Sequence, residues 1–385
     1  MDYQKISKEF RDRFGKVPQL FRSPARINII GEHTDYNDGF VMPAAIDKEI
    51  IIAIAENGSS KARIYAYDIQ QFAEFPVSDT SPDKNQTWSN YLRGVIDGLQ
   101  LRGIEIKGFD MVFGGNIPLG AGVSSSAAIE GGIGVALQGL FKFDIPRMDL
   151  AKIGQRAEHE YVGVKCGLMD QFANLHGKKD YVLKFDCRSL EYEVIPFFAK
   201  GYSILLCDTK VKHSLAGSEY NTRRAECEQG VEMIQKDHPN VVKLRDVTLE
   251  MLAAYKDKLS PIVYKRCRYV IEEDNRVEKA AEALKNNDFS TLGELLFQSH
   301  QGLSVDYEVS CKELDFLARF AGESKSVAGA RMMGGGFGGC TINLVQTDHL
   351  QEFIEEISEA YKQQFGIDLT CYQVSICDAA GPLNI

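Results

Sequence analysis

Gly120-Ala121-Gly122-Val123-Ser124-Ser125-Ser126 joins two residues without a Cβ to three consecutive hydroxyls. Backbone amides beside such glycines can come close to a ligand. Upstream, Phe109, Met111 and Phe113 alternate with Asp110 and Val112, which predicts a strand. Downstream, Ala128, Ile133, Ala136, Leu137 and Leu140 recur at helical spacing. A helix start offers free N–H groups and the positive end of its dipole, so it attracts anions. A serine hydroxyl also suits a hard cation such as Mg²⁺. Strand, glycine turn and hydroxyl-rich helix start read together as a cradle for a triphosphate. The simpler alternative is a glycine turn followed by serine N-caps. Gly131, Gly132 and Gly134 then sit inside the helix, each costing about 1 kcal/mol against alanine, so close packing or function must hold them there. No Gly-x-x-x-x-Gly-Lys-Ser/Thr occurs, which excludes the P-loop of the common nucleotidases.

Five further groups have chemistry to offer. Arg26 to Tyr36 (Arg-Ile-Asn-Ile-Ile-Gly-Glu-His-Thr-Asp-Tyr) gathers a cation, two carboxylates, an imidazole and an amide. It reads either as a solvated turn or as a polyol site, because ring hydroxyls need fixed donors and acceptors. Asp170 stands among Leu168, Met169 and Phe172, either as a helix cap or as a poised catalytic group. Glu158, twelve residues earlier, is an exposed helix charge or, with Ser126, a Mg²⁺ site that keeps several waters. Trp88, the single tryptophan, is half-buried core or a wall for an adenine ring. Gly334-Gly335-Gly336-Phe337-Gly338-Gly339 fits a dinucleotide fingerprint only by glycine density. A strand, Thr341–Val345, follows it instead of a helix, which excludes that reading. A second glycine loop closing over phosphate or substrate fits better.

The elements that must position these groups follow from periodicity and breakers. Residues 1–15 predict a short helix and Phe21 to Ile30 a strand entering the polar loop. Strands Glu49–Glu56 and Ala62–Asp68 flank Asn57-Gly58-Ser59-Ser60, a hairpin signal. Helices are expected over Tyr91–Leu101, Met148–Val164 and Ser218–Asp237, with three more to about Ala321. Strands recur at Tyr181–Asp186, Glu191–Pro196 and Tyr202–Asp208. A helix Asp348–Phe365, N-capped by Asp348, and a strand Leu369–Ile376 close the chain. Helices and strands mix without strict alternation, which favours α+β over a doubly wound sheet.

With 385 residues the chain can form two or three domains with a large core. Its formal charge of −10 argues against a nucleic-acid partner but leaves a nucleotide ligand open, since amide nests and a metal hold phosphates on acidic proteins. Nine cysteines, an odd number without a Cys-x-x-Cys pair, fit free thiols in a reducing compartment. The polar start, Met1-Asp2-Tyr3-Gln4-Lys5, does not resemble a signal peptide, and the apolar run Ile50–Ala55 is too short to span a bilayer. The expectation is a cytoplasmic monomer with no membrane partner.

Together these stretches resemble the galactokinase branch of the GHMP kinases. Arg26 to Gly39 is similar to that branch's sugar signature, Pro118 to Glu130 to its phosphate loop and Arg331 to Cys340 to its third motif. Ser218 to Arg224, Ser299-His300 and Tyr307 to Cys311 are also family-like. Ala25, Val123, Leu168 and Met333 depart from the usual glycine, leucine, isoleucine and threonine. The resemblance implies a GHMP kinase fold: an N-terminal domain like the second domain of ribosomal protein S5 (1–177) and a ferredoxin-like C-terminal domain (178–385), with the active site between them. It implies ATP and α-D-galactose as substrates, galactose 1-phosphate and ADP as products, and the first step of galactose entry into the Leloir pathway. Asp170 matches the catalytic aspartate and Arg26 the arginine beside it. Glu32, His33, Thr34, Asp35 and Tyr220 match the sugar-binding stretches. Gly120, Ala121, Gly122, Val123, Ser124, Ser125 and Ser126 match the ATP-phosphate loop, and Trp88 an aromatic near the adenine. Ser126 and Glu158 match Mg²⁺ positions. An N-acetylgalactosamine kinase and a non-catalytic galactose sensor are the alternatives. The intact serine loop and Asp170 favour catalysis.

Overall fold

The computed structural model describes residues 3–118, 120–199, 201–211 and 216–383. Leu119, in the glycine loop, lies outside the described residues. The strands are β1 (Gln19–Asn28), β2 (Phe40–Val41), β3 (Pro43–Glu56), β4 (Lys61–Ala66), β5 (Gln71–Pro76), β6 (Phe109–Gly115), β7 (Tyr181–Asp186), β8 (Tyr192–Pro196), β9 (Tyr202–Asp208), β10 (Val327–Met332), β11 (Cys340–Gln346), β12 (Thr370–Val374) and β13 (Gly381–Pro382). They form three sheets, in the orders β13-β1-β3-β6-β4-β5, β10-β11-β9-β12 and β2-β7-β8. The architecture is α+β.

The first sheet is covered on both faces. Successive side chains of a strand point to opposite sides. In β3, Ile50, Ile52 and Ile54 therefore enter the main core, while Ile51 and Ala53 join Ile6 and Phe10 of the helix Tyr3–Phe14. Helices Asn90–Gln100, Ser125–Phe141 and Arg147–Ala157 supply Leu92, Leu137 and Ile153 to that main core. Helical glycines set how closely Ser125–Phe141 lies on the sheet. A Cβ at Gly132 would stand 2.7 Å from Ile52 and 2.8 Å from Ser23, and one at Gly131 would collide with Asn174. Close packing, rather than ligand contact, accounts for these two glycines.

The expected hairpin of β3 and β4 does not form. β6 lies between them, antiparallel to β3 and parallel to β4. The Asn57–Ser60 turn opens to receive it: Asn57 donates its amide to the Gly108 carbonyl (3.1 Å), and Gly108 donates to Ser59 (3.0 Å). Charge fixes the parallel register. The buried Asp110 of β6 accepts two bonds from Arg63 of β4 (2.7 and 2.9 Å) and one from Lys16 (3.1 Å). The last helix is Leu350–Phe365, preceded by a short 3₁₀ turn, so Asp348 is not its N-cap.

The second sheet carries the other glycine loop between β10 and β11, and Arg331 stands at the end of β10. Its core positions Leu205, Ala330 and Val345 pack with Phe353 and Ile357 of Leu350–Phe365. Two long-range pairings link distant segments: β13 pairs with β1 at the sheet edge and so joins the two ends of the chain, and β2, just after the polar loop, pairs with β7.

Candidate active site

One cleft of about 430 Å³ gathers Arg26, Glu32, Asp35, Ser126, Glu158 and Asp170, which the sequence spreads over 145 positions. His33, Gly122 and Tyr220 also line it, with Gly334 and Gly335 closing it from the second glycine loop. Asp170 is the second residue of the helix Met169–His176, whose N-cap position is Leu168, so the helix-cap reading of Asp170 is set aside. Arg26 reaches it from β1. Its Nε lies 2.8 Å from Oδ1 and its Nη2 2.9 Å from Oδ2, while Nη1 donates to the Gly122 carbonyl at 2.6 Å. Burial opposes the charge on Arg26, but the carboxylates of Asp170 and Glu32 outweigh it and raise its pKa.

The glycine–serine loop turns through three left-handed residues, Gly120 (φ 81°), Gly122 (φ 74°) and Ser124 (φ 62°). Consequently the three serines face three ways. Ser124 donates to Asp170 Oδ2 at 2.5 Å and does not cap the helix with its side chain. Ser125 lines a neighbouring, largely apolar pocket of about 210 Å³ with Trp88, Ile117 and Ile129. Ser126 faces the cleft and bonds Glu158. Tyr91 lines both spaces, so they adjoin. The half-buried Trp88 has an indole Nε1 with no partner among the described residues. A flat, apolar ligand portion could lie there while its charged portion meets the helix start.

The polar loop is held from several directions. Arg331 Nη2 (3.1 Å) and the Gly334 amide (2.9 Å) both donate to Glu32 Oε1. The Gly31 amide donates to the buried Glu273 at 3.0 Å. His33 Nδ1 meets the Tyr36 hydroxyl at 2.7 Å, and burial pushes its pKa down to about 3, so the ring is neutral. Asp35 is pushed up to about 7 by desolvation and by the charge of Asp170. The Tyr220 ring lies 5.2 Å from that of His33. Thr34 departs from expectation. It is fully buried and does not line the cleft, because its hydroxyl is turned to the carbonyls of Gly31 (2.9 Å) and Phe40 (2.6 Å). Those two bonds fasten the loop.

Glu158 opens a single π-turn, Glu158–Val162, a distortion frequent at functional sites. Burial pushes its pKa up to about 7, against the bond from Ser126. Ser126 and Glu158 give two hard oxygen donors on one wall of the cleft. Mg²⁺ prefers few protein ligands, with water and phosphate completing its shell, and this donor pair fits it.

Family models match most of the chain: the galactokinase galactose-binding signature at residues 8–56, the GHMP kinase N-terminal domain at 90–178 and the GHMP kinase C-terminal domain at 280–363. A galactokinase from Thermotoga petrophila is 42% identical over 357 residues, 93% of this chain and 98% of its own. The chain belongs to the galactokinase family. A Clostridium acetobutylicum galactokinase is 40% identical over 384 residues, 98% of each chain. The crystal structure of Lactococcus lactis galactokinase complexed with galactose superposes with a TM-score of 0.94 at 35% identity, over 98% of both chains. A mevalonate kinase from Methanococcus jannaschii shares the fold, with a TM-score of 0.69 at 19% identity, over 94% of this chain and 99% of its own. The protein thus has the GHMP kinase fold of this kinase family.

Sequence reasoning missed the parts of the site that act from beneath. Glu130 is fully buried four residues after Ser126, on the same helix face, and takes one bond from Gln171 (2.9 Å). Burial and the charge of Glu158 push its pKa well up. That i, i+4 spacing was the signal available for Glu130. For the link from Arg331 to Glu32, 299 residues away, no local signal existed.

Proposed function

We propose that this protein transfers the γ-phosphoryl group of ATP to the C1 hydroxyl of α-D-galactose, giving galactose 1-phosphate and ADP. The observation that carries this reading is the convergence of the phosphate loop, the Arg26–Asp170 pair and the polar loop in one cleft. Phosphoryl transfer needs alignment and charge neutralisation more than covalent chemistry. The amides of the Gly120–Ser126 loop and the helix start hold the β- and γ-phosphates, with the adenine against Trp88. Asp170 receives the proton of the C1 hydroxyl as its oxygen attacks phosphorus in line. Arg26 orients Asp170 and stands beside the transferring group, where a planar cation suits phosphate. Glu32, His33, Asp35 and Tyr220 bind the sugar. Ser126 and Glu158 would hold Mg²⁺, which supplies charge neutralisation at phosphate oxygens.

We further propose domains at 1–177 and 178–385, with the cleft between them. Tyr220, Gly334 and Gly335 support this by meeting Arg26 and Asp170 across it. The nine free thiols support a reducing, cytoplasmic setting. Among the described residues no helix is long and apolar enough to cross a membrane. The acidic chain is taken as a monomer, which sedimentation would test.

The test is ADP release, coupled to a reporter enzyme, over a panel of hexoses. Galactose should give the highest kcat/KM. A preference for N-acetylgalactosamine would reassign the substrate, and binding of sugar and nucleotide without turnover would make the protein a sensor.

A further inference from the structure

Three consecutive serines are usually read as one phosphate-binding unit, yet here their hydroxyls serve different neighbours. The backbone explains why. Ser124 has φ 62° and ψ 59°, a left-handed conformation, immediately before the helix begins at Ser125. That turn swings its side chain away from Ser125 and Ser126 and onto Asp170. A residue with a Cβ is strained in this region, where glycine is the easy choice, and such strain tends to persist where a side chain is needed. Gly120 and Gly122, two and four residues earlier, take the same conformation without a side chain.

We infer that the Ser124 side chain is a positioning group for Asp170 and not a phosphate contact. The inference rests on the reading of Asp170 as acceptor of the sugar proton. A carboxylate oxygen accepts about two hydrogen bonds. Oδ2 takes both Arg26 Nη2 (2.9 Å) and the Ser124 hydroxyl (2.5 Å), so its capacity is filled. Among the described residues Oδ1 takes only Arg26 Nε (2.8 Å). The free lone pair on Oδ1 is therefore the one left for the C1 hydroxyl. Ser124 fixes which oxygen reacts, by occupying the other. Its single proton is spent on that bond, so it has none to donate to a phosphate oxygen.

The test compares Ser124→Gly, which keeps the left-handed backbone and removes the hydroxyl, with Ser124→Ala, each also in the Asp170→Asn background. Three quantities are read: kcat, galactose KM and the Kd of a non-hydrolysable ATP analogue with Mg²⁺. Losing a hydrogen bond to a charged group should lower kcat about 10- to 100-fold in both single variants, with the analogue's Kd unchanged. In the Asp170→Asn background the same substitutions should cost nothing further, because the partner is already altered. A galactose-bound structure should place O1 nearest Oδ1. The inference is overturned by weaker analogue binding with kcat retained, by equal losses in both backgrounds, or by O1 seated on Oδ2. Absence of galactose-dependent ADP release from the wild-type protein would remove the reading of Asp170 and this inference with it.

Discussion

Arg331 and Glu32 form an ion pair in which both side chains are almost wholly buried, 0% and 2% exposed, with Nη2 3.1 Å from Oε1. Arg331 also donates to the carbonyls of Asn28, Ile29 and Met332. One guanidinium thus joins the end of β1, the polar loop and the second glycine loop. Breaking a buried pair from one side leaves the other charge uncompensated, at about 3–5 kcal/mol. Arg331→Met should lose stability of that order in urea unfolding and should raise galactose KM. Retained stability with unchanged KM would show that the pair does not organise the sugar loop.

Asp35 should govern sugar affinity. Its carboxylate lies in the cleft and, among the described residues, accepts only the Tyr36 amide (2.9 Å). Asp35→Ala leaves sugar hydroxyls unpaired and should raise galactose KM by a factor of about 10 or more, because buried donors then lack acceptors. Its pKa near 7 adds a pH signature. Hydroxyls donating to the ionised form favour that form, so calorimetric galactose affinity should rise between pH 6 and 8. Asp35→Asn should flatten that rise. A variant that alters ATP affinity alone would place the sugar elsewhere.

Ser126→Ala and Glu158→Gln should each shift the Mg²⁺ concentration for half-maximal rate upward, since each removes one of the two proposed protein donors. Chelation should abolish turnover in the wild type and in both variants. An unchanged metal titration would move the metal away from this wall.

Asp274 tests the electrostatics outside the cleft. It is buried, accepts the Phe40 amide at 2.8 Å, and desolvation pushes its pKa up to about 7. A carboxyl whose folded pKa lies above its unfolded value holds its proton more tightly when folded. Its contribution to stability is therefore present at low pH and is lost as pH rises from about 4 to 7. The stability of wild type minus that of Asp274→Asn should fall across that window. A constant difference from pH 4 to 8 would show that Asp274 ionises normally.

Local chemistry was legible before the fold was known. The strand into the glycine turn, the helix after it and the strand after the second glycine loop all follow from alternation and breakers, and they stand at β6, Ser125–Phe141 and β11. Long-range choices were not legible. Asn57-Gly58 has the composition of a hairpin turn, but β6 enters between the flanking strands because Asp110 finds Arg63 there. The direction of each serine depends on one left-handed residue, Ser124, which sequence composition would not place in that region. Thr34 shares a loop with residues of the cleft, yet its hydroxyl is claimed by two carbonyls that only the folded turn brings near.

The proposed mechanism turns on Asp170 receiving the proton of a galactose hydroxyl beside a bound triphosphate. The most direct measurement is the single-turnover rate of galactose phosphorylation by wild type and Asp170→Asn, with ATP-analogue binding measured alongside. The asparagine keeps the size of the side chain and an acceptor for Arg26 but is a far poorer base. The rate should fall by about 100-fold or more, in the range expected for a general base, while the analogue binds as before. Near-normal turnover in Asp170→Asn would contradict the account.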